Sequence, residues 1–247
     1  MNKYFLTGIC IFFLSHVFAQ GDFIVKGKIE FEKKTNIHKQ LAMEDEGFRS
    51  MIEKMTPPTK TTYFDLYFND KKTIYMPGRE VATTMKVPEW IDGPATDNVV
   101  FTDLSQNVIT SQKTIFEDVF NIQDSLRKAH WKITPDTRTI AGFECRKATT
   151  IIMDSVFVVA FYTEQIVTPG GPESFNSLPG MILGLAVPRL NTTWFATKLE
   201  LVNVKDNTLM PPKKGKKIDL KSLQSTLNNA MKDWGKMGSK NIWQITI

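Results

Sequence analysis

Apolar and polar positions alternate through much of this chain, and the alternation predicts a mainly β protein. Phe23, Val25, Ile29 and Phe31 face one way, and Lys26, Lys28, Glu30 and Glu32 the other, which is the period-two pattern of a half-buried strand. Asn36 is placed to cap a helix whose apolar stripe is Ile37, Leu41, Phe48, Met51, Ile52 and Met55, stopped by Pro57 and Pro58. Residues 61–68 and 72–76 predict a hairpin turning at Asn69 and Asp70. Residues 99–104 and 108–110 predict another, around Ser105, Gln106 and Asn107, and residues 115–122 continue as a strand. Between the hairpins, residues 83–97 are irregular. Trp90 there is either an exposed recognition aromatic or the closure of a core end.

The densest strand pattern begins at Trp131, Lys132 and Ile133, turns at Pro135 and Asp136, and runs on over residues 138–152 with an interruption near Gly142. After a turn at Asp154 and Ser155, residues 156–162 return. Val156, Val158, Ala160 and Tyr162 point one way and Phe157, Val159 and Phe161 the other, so both faces are apolar. Such a strand is covered on both sides, by a helix or second layer or around a concave apolar cavity.

Residues 169–187, P-G-G-P-E-S-F-N-S-L-P-G-M-I-L-G-L-A-V, join a turn to an apolar run. Leu178, Pro179 and Gly180 suit a type II turn, and Met181, Ile182, Leu183, Leu185 and Val187 a buried strand loosened by Gly184. Residues 194–204 alternate again in a bulged register. Asp219 caps a helix striped by Leu220, Leu223, Leu227, Met231 and Trp234, ended by Gly235 and Gly238, and residues 242–247 form a last strand. The predicted fold is mainly β (α+β): a curved antiparallel sheet or half-open barrel with one or two covering helices.

The ends and totals add a compartment. Lys3, the apolar residues 4–17 and Val17-Phe18-Ala19 form a secretory signal cleaved near Ala19 and Gln20, too short to span a membrane. Residues 20–247 then form a single periplasmic or secreted domain. Cys10 leaves with the signal, so Cys145 is a lone thiol and no disulfide framework forms. The charge of +5, lowered by one with loss of Lys3, sits mostly in a lysine-rich loop over residues 213–217. Nothing in it points to nucleic acid.

Several stretches together resemble the GLPGLI family of bacterial envelope proteins. The naming motif reads Ser177-Leu178-Pro179-Gly180-Met181-Ile182, with Trp131-Lys132-Ile133, Ile140-Ala141-Gly142-Phe143-Glu144-Cys145-Arg146-Lys147-Ala148, Ala160-Phe161-Tyr162-Thr163 and Gly171-Pro172 upstream in matching order. Ser177 replaces a Gly, Met181 a Leu, Phe143 a Tyr and Phe161 a Trp. The family has no established activity. Its pattern is similar to half-open barrels that carry lipids or lipid-modified proteins, an analogy of fold alone.

No convergent catalytic set is visible. His38 and His130 stand apart, no nucleophile elbow or phosphate loop occurs, and Glu89 with Asp92, or Glu117 with Asp118, read as solvated. Cys145 reads as a small core hydrophobe, or less readily as a nucleophile activated by Lys147. The expectation is therefore a non-catalytic binding or chaperone-like protein without metal or cofactor. It would hold an apolar ligand, lipid or lipid-modified partner at Phe157, Phe161, Tyr162, Leu178, Pro179, Gly180 and Met181. The alternative is an accessory protein of an outer-membrane transport or secretion system.

Overall fold

The structure, a computed structural model, describes residues 23–41, 45–83 and 85–247; the signal reading and Cys10 lie outside the described residues. Twelve strands form one sheet in the order β12-β6-β5-β4-β3-β2-β1-β11-β10-β9-β8-β7. Its two edge strands do not pair with each other, so the sheet is not closed into a barrel. The strands are β1 (Gly27–Asn36), β2 (Thr59–Phe68), β3 (Lys72–Pro77), β4 (Val99–Asp103), β5 (Val108–Ile115), β6 (Asp118–Ser125), β7 (Lys132–Ile140), β8 (Phe143–Ile152), β9 (Val156–Thr163), β10 (Met181–Val187), β11 (Thr192–Glu200) and β12 (Lys216–Ile218). Every neighbouring pair is antiparallel except β12 with β6. The predicted mainly β sheet with a few helices is what forms, with that parallel edge added by the lysine-rich segment.

One apolar cluster runs from Val100 and Ile109 on β4 and β5, through Ile29, Phe31 and Phe64, to Cys145 and Ala148 on β8. Strands far apart in the sheet order share this core, so the sheet curves around it. On β9, Val156, Val158, Ala160 and Tyr162 enter the core while Phe157 is 44% exposed, so the strand is not covered on both sides.

Two predicted strands resolve into hairpins. The long one near Gly142 is β7 and β8, joined at Ala141 and Gly142 with φ of 50° and 86°. The one from Ile115 is β5 and β6, joined at Phe116 and Glu117. Asn36 caps a short helix α1 (Ile37–Gln40) by accepting from Lys39 N–H at 2.8 Å, and a separate α2 (Glu46–Met55) starts at an Asp45 cap. Phe48, Met51 and Met55 stay exposed, while Ile37, Leu41 and Ile52 pack with Ile91 of α3 (Glu89–Asp92). Trp90 is 55% exposed and lies against Phe48.

Asp219 caps α4 (Leu220–Ala230), which packs Leu223, Leu227 and Met231 on Ile115 and Ile122. Gly235 and Gly238 do not close the chain's last helix. They open α5 (Gly235–Thr246), which replaces the expected terminal strand and sends Ile247 into the main core. Among the described residues no helix is long and apolar enough to cross a membrane.

Candidate functional site

The core-facing positions of the central strands change character along their length. On β1 they read Ile29, Phe31, Lys33, Thr35; on the paired β2, Leu66, Phe64, Thr62, Lys60; on β11, Ala196, Trp194, Thr192. Apolar side chains give way to polar ones at the same level on β1 and β2, where Lys33 pairs with Thr62, and one step later on β11, where Trp194 still faces Lys33 and Thr192 faces Thr35. Beyond them the Ile37, Leu41, Ile52 and Ile91 cluster closes the far side. A polar chamber of about 30 Å³ is left between two apolar clusters, lined by Lys33, Thr62, Thr192, Trp194, Asp92 and Glu173 among others. That volume suits one or two waters.

Glu173 is the centre of this chamber. Its carboxylate is 2% exposed, accepts from Asn98 Nδ2 at 2.8 Å and lies 3.5 Å from Lys33 Nζ. Lys33 also sits 5.3 Å from the Trp194 ring centroid and 5.4 Å from that of Phe64. Near the carboxylate, Asn98 Oδ1 is buried without a hydrogen-bond partner in the protein, and the buried Tyr75 Oη and Trp194 Nε1 have only each other in reach. Burial, reinforced by the nearby Glu173 charge, holds the Tyr75 phenol well above its usual range. Burial likewise pushes Lys113 down to about 8, Glu173 opposing the change and Arg127 and Lys33 adding to it. Buried polar groups left open in a cluster mark a place where a ligand or water completes the bonding.

The backbone places this carboxylate at a cost. Glu173 has φ of 54° and Ser177 of 72°, both in the left-handed region, where a side chain is disfavoured by about 1–2 kcal/mol. The loop is fixed from several sides. Trp131 Nε1 donates to Asn176 O at 3.0 Å, Ile182 N–H donates to Gly170 O at 2.8 Å, and Phe175 is buried. Ser174 Oγ donates to Ile247 O in α5. At the turn, Gly180 N–H donates to Leu178 O, while Met181 N–H is taken by Ile166 O. The closing bond of a type II turn is therefore absent, and the Gly180 φ of 141° departs from the value of about +80° that the turn requires.

At the chamber's mouth Lys60 pairs with Asp92, and Gln244 Nε2 donates to Asp92 O at 3.1 Å. Asp92 is thus paired, not solvated as expected, because α3 turns it toward β2. Lys60 and Thr62 also line a second, open cleft of about 860 Å³ between β2 and residues 77–83 and 85–87. That is the size of a ligand site. Its far wall is held by Arg79, whose guanidinium lies 3.3 Å from the Tyr63 ring centroid and pairs with Glu30 at 3.0 Å.

The sequence-predicted site residues do not converge on these cavities. Leu178, Met181 and Tyr162 are buried in the main core, while Phe157 and Phe161 stand on the opposite face of β9. Pro179 and Gly180 form the turn. None of these residues lines the chamber or the cleft. Cys145 is fully buried, and burial pushes its thiol up to about 11, so it is not an activated nucleophile. The residues the pattern missed are Lys33, Glu173, Asn98, Lys60 and Asp92. The available signal was the in-phase change from Phe31 to Lys33 and from Phe64 to Thr62.

A family model for the N-glycanase peptide, N-terminal domain, matches residues 95–224, just over half of the chain and including Asn98, Glu173, Thr192 and Trp194. The chain belongs to this family. Two solved structures of PNGF-II resemble it in fold. One, in space group P21, has a TM-score of 0.53 and 15% identity over 81% of this chain and 32% of that one. The other, in space group C2, has a TM-score of 0.51 and 16% identity over 86% of this chain and 33% of that one. The chain thus spans about a third of the length of those structures. No curated protein matches it.

N-glycanase family membership overturns the GLPGLI resemblance. What Leu178, Pro179, Gly180 and the following apolar run encode is a tight corner before a buried strand, and a corner of that geometry recurs wherever a fold demands it. With the resemblance go the non-catalytic binding or chaperone-like reading and the accessory alternative. The expectation of a non-enzyme is contradicted too, because the matching model is that of the N-terminal domain of an N-glycanase.

Proposed function

We propose that this chain acts in N-glycan processing, with the cleft beside β2, where it meets the mouth of the polar chamber, as the place where the glycan is engaged. One observation carries the reading: a ligand-sized open cleft shares Lys60 and Thr62 with a chamber that holds a buried carboxylate and an indole wall. A sugar lying in the cleft presents its hydroxyls and amide to Lys60 and Thr62 at the chamber mouth, while the chamber itself has room for water. Glu173 within the chamber and Asp92 at its mouth place carboxylates beside the cleft. The N-terminal domain match supports a share in the work of an N-glycanase, and the signal over residues 1–19 supports action outside the cytoplasm.

Two measurements on the purified protein test this. Titration calorimetry with a released N-glycan reads binding, and mass spectrometry of an N-glycoprotein incubated with the protein reads release of its glycan. Saturable binding with or without release supports the reading. Neither binding nor release contradicts it.

A further inference from the structure

The cleft also exposes a stretch of open sheet edge. The β2–β3 ladder ends at Phe64↔Pro77, followed by one more bond from Gly78 N–H to Tyr63 O at 2.8 Å. On the other side β1 goes on pairing with β2 as far as Asn36↔Thr59. Residues 59–62 therefore have a partner strand on one side only, and the other side faces the cleft. Since Tyr63 O points to the β3 side, the period of two aims the N–H and C=O of Thr61 and Thr59 into the cleft. Such an edge is a template for an added strand.

We infer that this edge docks the peptide of a glycosylated substrate, in extended form, by strand addition along residues 59–62. The inference rests on the glycan-processing reading and names the part of the substrate that the chamber does not take. The register gives the reason for that occupant. Lys60 and Thr62 direct their side chains to the chamber face, so a strand laid beside them sends every second side chain to the same face. An asparagine at such a position delivers its sugar to the chamber mouth, beside the Lys60–Asp92 pair. Across the cleft, Val81, Met85 and Val87 offer apolar contact to other side chains of the peptide.

The test uses a fluorescent N-glycosylated peptide in two N-methylated versions, one blocked on the odd backbone amides and one on the even. Strand pairing uses only one set, so one version loses affinity about tenfold or more while the other binds like the parent peptide. Thr61→Pro, which removes an N–H that β1 does not use, weakens the parent peptide by a similar factor. If the two methylated peptides bind alike, the edge pairing is overturned, while binding of the free glycan leaves the glycan-processing reading standing. If neither peptide nor glycan binds, both fail.

Discussion

The side-chain amide of Asn98 donates to the Glu173 carboxylate at 2.8 Å, tying the start of β4 to a loop 75 residues later. That bond and the Lys33 ion pair fix a buried charge inside a sheet whose neighbouring core is apolar. Its loss leaves Lys33 buried without its counter-charge. Glu173→Gln is expected to lower stability by about 1–3 kcal/mol. Adding Lys33→Met removes the stranded cation, so the double variant is expected to be more stable than Glu173→Gln alone. Urea unfolding midpoints of the three proteins check this.

Lys113 predicts a pH dependence with a definite sign. Burial holds its folded pKa near 8 against an ordinary 10.5, so the unfolded chain binds the extra proton within that window. Stability therefore rises as pH increases from 8 toward 10.5. Tyr75 acts oppositely: its phenol is raised in the fold, so its contribution is lost only above the ordinary value of 10.0. Melting temperature is expected to climb by a few degrees up to about pH 9, above which the raised Cys145 thiol, ordinarily at 9.0, increasingly offsets the gain. Lys113→Met flattens the climb, although Ile245 O loses the donor it has at 2.8 Å.

The corner before β10 separates two kinds of positive φ. A Cβ at Gly180, with φ of 141°, would lie 2.1 Å from Thr163 O, a backbone atom fixed in β9. Gly180→Ala is expected to cost about 3–4 kcal/mol. Ser177 already tolerates its left-handed φ, with Oγ donating to Asn176 Oδ1 at 2.5 Å. Ser177→Gly relieves strain and loses that bond, so it is expected to stay within about 1 kcal/mol of the parent. Thermal unfolding distinguishes the two.

Cys145 is expected to be inert. Its side chain is buried and its thiol is pushed up to about 11, so a thiol reagent at neutral pH finds almost no thiolate. Labelling followed by mass spectrometry is expected to modify the native protein slowly and the urea-unfolded protein at once.

Most of the fold was legible where local chemistry and pattern agree. The turn at Asn69, whose side chain accepts from Lys71 and Lys72 N–H, and the caps at Asn36 and Asp219 were read directly. The last six residues were misread because Trp243, Ile245 and Ile247 alternate like a strand over too short a run to expose a helical period. Gly238 reinforced the error: it looks like a stop, yet it is buried where a Cβ would meet Met231 O at 2.7 Å. The site was less legible. Lys33 and Glu173 are charges on core-facing or buried positions, and a reading of apolar periodicity ends where such charges begin. Glu173 was further hidden in a loop whose prolines and glycines announced geometry but not chemistry.

The central claim is that an N-glycan is engaged where the cleft meets the Glu173 chamber. Its most direct test is calorimetric titration of a released N-glycan into the parent protein, Glu173→Gln and Thr62→Phe, the last blocking the junction. The account predicts saturable binding to the parent, weakened about tenfold or more in both variants. Equal affinity in all three proteins, or no binding to the parent, would contradict it.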